Sequence, residues 1–259
     1  MLIIDKIKNL FTGDNDLYCK SSLPSVVEFS EIISVKKHQP SWWKKLPTKI
    51  ENVIPYPGLG YHKDEFKNFK TDILTVKHCP AISENINTGL LIKAWSDITI
   101  FINPDGIVEG SAANEEVRAQ RPVGSYHPYI QRAGFLRNMA HYKIHSPWVF
   151  STKKYRKFYF QGAYMWNPSL IENNIFIIPG FVDYYTQNGT EINLFAPIKK
   201  ESYIIEIKHG DPLVHIFPID DRPLNIVSKL VNDSELRKQS NVHPKFVGSF
   251  KLFRSRNKK

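Results

Sequence analysis

The feature that most constrains this chain is the punctuation of residues 72–217. Apolar or alternating runs, each too short for a buried helix, are separated by glycine, proline, asparagine and aspartate. The runs at Ile73–Lys77, Gly89–Trp95, Asp97–Asn103, Tyr142–Ile144, Trp148–Ser151, Tyr155–Phe160, Asn174–Ile178, Glu191–Phe195, Tyr203–Ile207 and Leu213–Phe217 predict strands. Asn103-Pro104-Asp105-Gly106 and His209-Gly210-Asp211 supply residues suited to tight turns between them. Many short strands and few helical patterns predict a mainly β fold, a distorted barrel or sandwich. At 259 residues and 42% hydrophobic content, the chain can bury such a core as one unit.

The flanks read differently. Ile3, Ile7 and Leu10 recur at helical spacing, which predicts a short N-terminal helix ended by Gly13-Asp14-Asn15. Ser25–Val35 is rich in β-branched residues and predicts a strand. Pro40, Pro47, Pro55 and Pro57 then make an irregular arm that carries Trp42 and Trp43, neighbours expected to face opposite ways, one plugging the domain and one covering a neighbouring surface, by packing alone or as a partner-docking arm. Ser111–Asn138 is polar and predicts a long loop with one short helix. Leu224, Val227, Leu230 and Val231 at helical spacing predict a C-terminal helix. The organisation expected is an N-terminal region over residues 1–70, a β-rich core over 71–222, and a helix with a basic tail over 223–259.

The net charge of +10 is not spread evenly. Eight of the 35 lysines and arginines and none of the 25 acids lie after Glu235, so the body is close to neutral and the tail is basic. In the tail Phe246, Phe250 and Phe253 alternate with Lys245, Lys251, Arg254 and Arg256, residues that could stack on bases and neutralise phosphates, or dock on an acidic protein surface. A solvated tail whose phenylalanines pack back on the body is the alternative. No apolar run reaches the roughly 20 residues of a membrane-crossing helix. The charged N-terminus lacks the pattern of a secretory signal, which predicts a cytoplasmic location. The two cysteines, Cys19 and Cys79, are too few for a disulfide framework, and Cys79 is expected to be buried.

Two resemblances attach to particular residues. Trp42-Trp43-Lys44-Lys45, Cys79-Pro80, Ser146-Pro147-Trp148, Pro179-Gly180-Phe181-Val182-Asp183 and Gly210-Asp211-Pro212-Leu213 resemble a family found in tailed phages, cyanophages among them, and in some bacteria. That likeness implies an accessory or structural role in a host cell or virion. The segment from Phe176 to Tyr185, with Gly189-Thr190-Glu191-Ile192 and the Gly210-Asp211 turn, resembles the later half of the dUTPase and dCTP deaminase family. This second likeness implies a β-clip-like sandwich and a homotrimer with sites between subunits. It also implies Asp183 as the carboxylate that activates water, Tyr185 against a ligand ring, and a divalent metal such as magnesium. The chain departs from that family where the phosphate-holding Arg-Ser-Gly should stand, since Gln161-Gly162-Ala163-Tyr164-Met165-Trp166 occupies the place. Asp97 is only a loose substitute for the early metal-binding aspartate. The alternative for Asp183 is a turn aspartate bonded to its own backbone.

Two further groups are candidates. His127, Gln131, Arg132 and His141 form a polar loop cluster, with His145 near it in sequence. His62-Lys63-Asp64 has the spacing of a 2-oxoglutarate iron oxygenase, with His209 or His215 and Arg222 as distal partners. The leading expectation is a protein that binds through its tail and aromatic arm. A metal-dependent nucleotide-processing enzyme is the alternative, and an iron oxygenase a distant third.

Overall fold

The computed structural model describes residues 15–53, 71–120, 122–131 and 134–240. The expected N-terminal helix, the His62–Asp64 pair, Arg132 and the tail residues Lys245 to Arg256 lie outside them. The described residues are mainly β, arranged in several sheets with few helices and no closed barrel, in keeping with a sandwich.

In chain order the strands are β1 (Asp16–Ser21), β2 (Ile33–Ser34), β3 (Lys49–Val53), β4 (Thr71–Leu74), β5 (Leu90–Lys93), β6 (Ile98–Ile102), β7 (Val108–Ala112) and β8 (Gly124–His127). There follow β9 (Met139–Thr152), β10 (Lys157–Gly162), β11 (Phe176–Ile177), β12 (Gly180–Asp183), β13 (Gly189–Pro197), β14 (Tyr203–Ile207), β15 (Pro212–Pro218) and β16 (Asn225–Leu230). The described residues fall into two compact units, one within residues 35–88 and one formed by those before and after it.

The larger unit contains three sheets. One runs β11-β13-β9-β1-β16, with β8 also paired to β9; a second runs β12-β10-β15-β5-β2; a third is β14-β6-β7. Their inner faces share one core. Ile98, Ile100 and Ile102 alternate inward from β6, Leu17, Cys19 and Phe150 come from the first sheet, and Phe158, Val214 and Ile216 from the second. The β6–β7 hairpin turns at Gly106 (φ 74°), where the Asn103 carbonyl accepts from the Gly106 N–H at 2.9 Å. That is the turn its sequence predicts.

Strand β9 absorbs two expected strands and the His145-Ser146-Pro147 between them. His145 pairs with Glu191 and Val149 with Gly189, so β9 spends four steps where β13 spends two. The excess is a bulge, and it holds Pro147, which has no N–H to give a ladder. On its other edge β9 pairs first with β8 and then with β1, and Pro147 sits between the two partners.

Three expectations are corrected. Ser25–Val35 is a helix over Pro24–Phe29 followed by the two residues of β2; Pro24 occupies the first turn, where its missing N–H costs nothing, and Val26 is buried. The polar stretch from Ser111 does contain the short helix Glu115–Gln120, but β8 and the end of β7 are strands as well. Both are recruited by neighbours: Gly110 and Gly124 lie flat against the Tyr142 ring, where any Cβ would collide. Leu224–Leu236 is not one helix. Residues Asn225–Leu230 run parallel to β1, and the helix begins only at Asp233. Cys79, expected to be buried, is partly exposed, and Cys19 is buried. Burial pushes the Cys19 thiol far up, which leaves it inert.

The smaller unit contains the β3–β4 hairpin and the helices Ser41–Lys45 and Pro80–Asn87. In the first helix Trp43 is buried and Trp42 is 39% exposed, their rings edge to face at 5.7 Å. Lys77 lies 5.8 Å from the Trp43 ring.

Candidate functional site

Alternation along β1 sends Leu17, Cys19 and Ser21 inward, which turns Tyr18 and Lys20 outward. β16 lies parallel beside β1, with Val227 opposite Tyr18 and Lys229 opposite Lys20. On the other flank Ser151 of β9 faces Tyr18, and Lys153 follows just past the end of that strand. Three ammonium groups therefore gather around one phenol ring: the Nζ atoms of Lys229, Lys153 and Lys20 lie 5.2, 5.8 and 6.0 Å from the Tyr18 centroid. Like charges on directly opposed strand positions repel. The offset provided is partial. Glu235, from the helix Asp233–Ser240, reaches Lys20 at 3.3 Å, while Asp16 accepts from the Tyr18 hydroxyl at 3.0 Å. Tyr18, the three lysines and Glu235 line an open pocket of about 540 Å³, together with Ser151, Thr152, Leu230 and Val231.

Farther back along β9, on the same outward face, His141 lies between His127 of β8 and Phe195 of β13. The rings stack in a row, with centroids 4.4 Å apart for His127 and His141 and 4.1 Å for His141 and Phe195. The next positions along the strands are Lys143 beside Asn193 and His145 beside Glu191, the last pair joined at 2.7 Å. Desolvation, reinforced by the Lys143 charge, holds the His127 imidazole below its ordinary pKa, against the opposing hydrogen bond with Gln131. The structure thus brings together three of the four residues expected in a polar loop cluster, on sheet strands and a short 3₁₀ turn. His141 and Phe195 are buried, however, so this row is a packed wall with a half-exposed histidine at its end.

Asp183 ends β12 and is 2% exposed. Its Oδ1 accepts from the Thr186 N–H at 2.8 Å and the Thr186 hydroxyl at 2.5 Å, and its carbonyl accepts from the Gln187 N–H at 2.9 Å. This is the geometry of an aspartate closing its own turn. Tyr185 in that turn is 41% exposed. Asp97, the loose candidate for a metal ligand, accepts from the His209 N–H at 2.7 Å, just before β15 begins. Asp183 instead pairs with Lys157, next to the rung that joins Phe158 to Pro218 at the far end of β15. Seven residues of strand separate the two carboxylates, about 20 Å. They do not fit a shared divalent cation. Among the described residues no three His, Cys, Asp or Glu side chains are grouped to hold a metal ion.

The distal residues considered for an iron site are also engaged elsewhere. His215 is buried between Trp166 and Phe217, His209 bonds Ser30 at 3.0 Å, and Arg222 bonds Asp220 at 2.7 Å. Asp220 also meets the buried Arg156 at 2.9 Å.

None of Tyr18, Lys20, Lys153 and Lys229 was expected from the sequence. The only local signals are the alternation of β1 and the Lys153-Lys154 step between two strands; Lys229 joins through a parallel pairing that no local pattern reveals. Comparison with protein-family models, with curated proteins and with solved structures yields no match for this chain.

Proposed function

We propose that this protein is a nucleic-acid-binding accessory protein that holds phosphate groups at the lysine pocket of β1, β9 and β16 and along the basic segment that follows in sequence. The observation that carries this reading is the convergence of Lys20, Lys153 and Lys229 on one open pocket, where Glu235 pairs with Lys20. Such a cluster is costly without a ligand and favourable with a polyanion, whose condensed counterions are released on binding. The sequence that follows the helix Asp233–Ser240 adds further bases and no acid. The phage-type accessory role implied by the sequence resemblance suits a binder of this kind. No helix among the described residues is long and apolar enough to cross a membrane.

The test is fluorescence anisotropy with labelled oligonucleotides over a salt series, on the intact chain and on one ending at residue 244. Affinity should fall steeply with salt in the intact chain, and truncation should weaken binding and flatten the slope. Persistence of a shallower slope after truncation assigns the remainder to the lysine pocket. Absence of any salt-dependent binding by the intact chain would overturn the reading.

The nucleotide-hydrolase reading lacks comparable support. Its central carboxylate is committed to a turn, and the second carboxylate lies about 20 Å away along the intervening strand.

A further inference from the structure

The lysine pocket differs from a plain basic patch in having an aromatic ring at its centre. Tyr18 is half-buried, its hydroxyl is tethered to Asp16 at 3.0 Å, and its position is fixed by strands on both sides. A ring held in this way loses little freedom when something stacks on it. Around it the ammonium groups stand 5.2 to 6.0 Å from the ring centroid, close to where the phosphates flanking a stacked base would lie. Val231, just past the end of β16, also lines the pocket and adds apolar surface beside the lysines. At about 540 Å³ the pocket falls within the range of sites that hold one small ligand, and it accommodates one nucleotide unit.

From these features we infer that the pocket receives one nucleotide of a single-stranded nucleic acid, with the base against the Tyr18 ring and the flanking phosphates among Lys20, Lys153 and Lys229. This rests on the nucleic-acid reading above and narrows it. In a duplex each base is stacked on its neighbours and paired, so its face is not available to a ring set inside a concave pocket; an unpaired base offers that face to any aromatic platform. Stacking is tolerant of base identity, so little sequence preference is expected. Lys20 is partly neutralised by Glu235, which leaves Lys153 and Lys229 as the stronger phosphate contacts.

The experiment compares a labelled twelve-nucleotide single strand, a duplex of the same sequence and inorganic polyphosphate as ligands for the full chain. The proteins are the unsubstituted chain, Tyr18→Leu, Tyr18→Phe and Lys153→Ala/Lys229→Ala, each first shown to melt cooperatively. The single strand should bind tighter than the duplex. Tyr18→Leu should weaken single-strand binding by about tenfold, Tyr18→Phe should retain it, and neither should alter polyphosphate binding. The double lysine variant should weaken all three ligands and lower the single-strand salt slope by about 1.4. As a readout free of folding effects, a 5-iodouracil oligonucleotide irradiated with the unsubstituted protein should cross-link to the peptide containing Tyr18.

Equal binding of single strand and duplex, unchanged affinity in Tyr18→Leu, or cross-links confined to residues 241–259 would overturn the inference while leaving general phosphate binding in place. A double lysine variant that binds every ligand as the unsubstituted chain does would sink the pocket altogether.

Discussion

Asp183 and the lysine pocket are both ionisable features of the larger unit, and they are resolved in opposite ways. The Asp183 carboxylate is buried and accepts a backbone N–H and a hydroxyl from Thr186, three residues on in its own turn. The three lysines come from strands far apart in sequence, remain in contact with solvent, and meet one carboxylate. A buried polar group bonded within its own turn has a structural reason to be there, because leaving such a group buried without those bonds is costly. An assembled group of like charges has no such internal reason and points outward to a ligand.

The largest expected effect that tests this contrast is at the turn. Asp183→Ala removes both acceptor contacts and leaves the Thr186 donors facing a buried space, so stability in urea should fall by about 2 kcal/mol, while oligonucleotide affinity of the folded fraction stays the same. Intact stability with lost binding would reverse the assignment of the two sites.

A second charged group gives an intermediate case. Arg156 is buried and donates to the Arg222 and Pro223 carbonyls as well as to Asp220. Hydrogen bonding from Arg222, and then the Arg156 charge, hold the Asp220 carboxyl below its usual range. Its contribution is therefore present above the ordinary carboxylate pKa and lost as pH falls through the depressed folded value. Asp220 is partly exposed, so Asp220→Asn should cost about 1 kcal/mol at neutral pH. The difference in melting temperature from the unsubstituted protein should close in acid. A gap that persists unchanged at low pH would show that the side chain acts by packing instead of charge.

The smallest stability effect is expected at the pocket. Lys229→Ala removes a repulsive cross-strand neighbour of Lys20, so the ligand-free protein should be unchanged or more stable by a few tenths of a kcal/mol. Salt-dependent affinity should nevertheless drop several-fold. A clear loss of stability would mean that the Lys229 stem supports the β1–β16 edge and that the lysine cluster has a structural reason of its own.

How much of this was legible beforehand depends on the range of the interaction concerned. Strand β6, the Asn103–Gly106 turn and the Gly210 turn are written locally, because alternation and turn residues act over a few positions. Helical spacing in Leu224–Val231 misled for a related reason: Ile226 and Val227 reach their strand partners only through β1, some two hundred residues earlier in the chain. β8 carries little apolar pattern of its own and exists as a strand because β9 offers it a ladder.

The sequence by itself determined that the fold is mainly β, where several of its turns fall, and that positive charge is concentrated after Glu235, since each depends on neighbouring residues or on counting. Tertiary structure alone decided that His141 is walled in by His127 and Phe195 and that Tyr18 stands among three lysines. Those outcomes depend on register between distant strands, where a one-residue slip would turn every side chain to the other face.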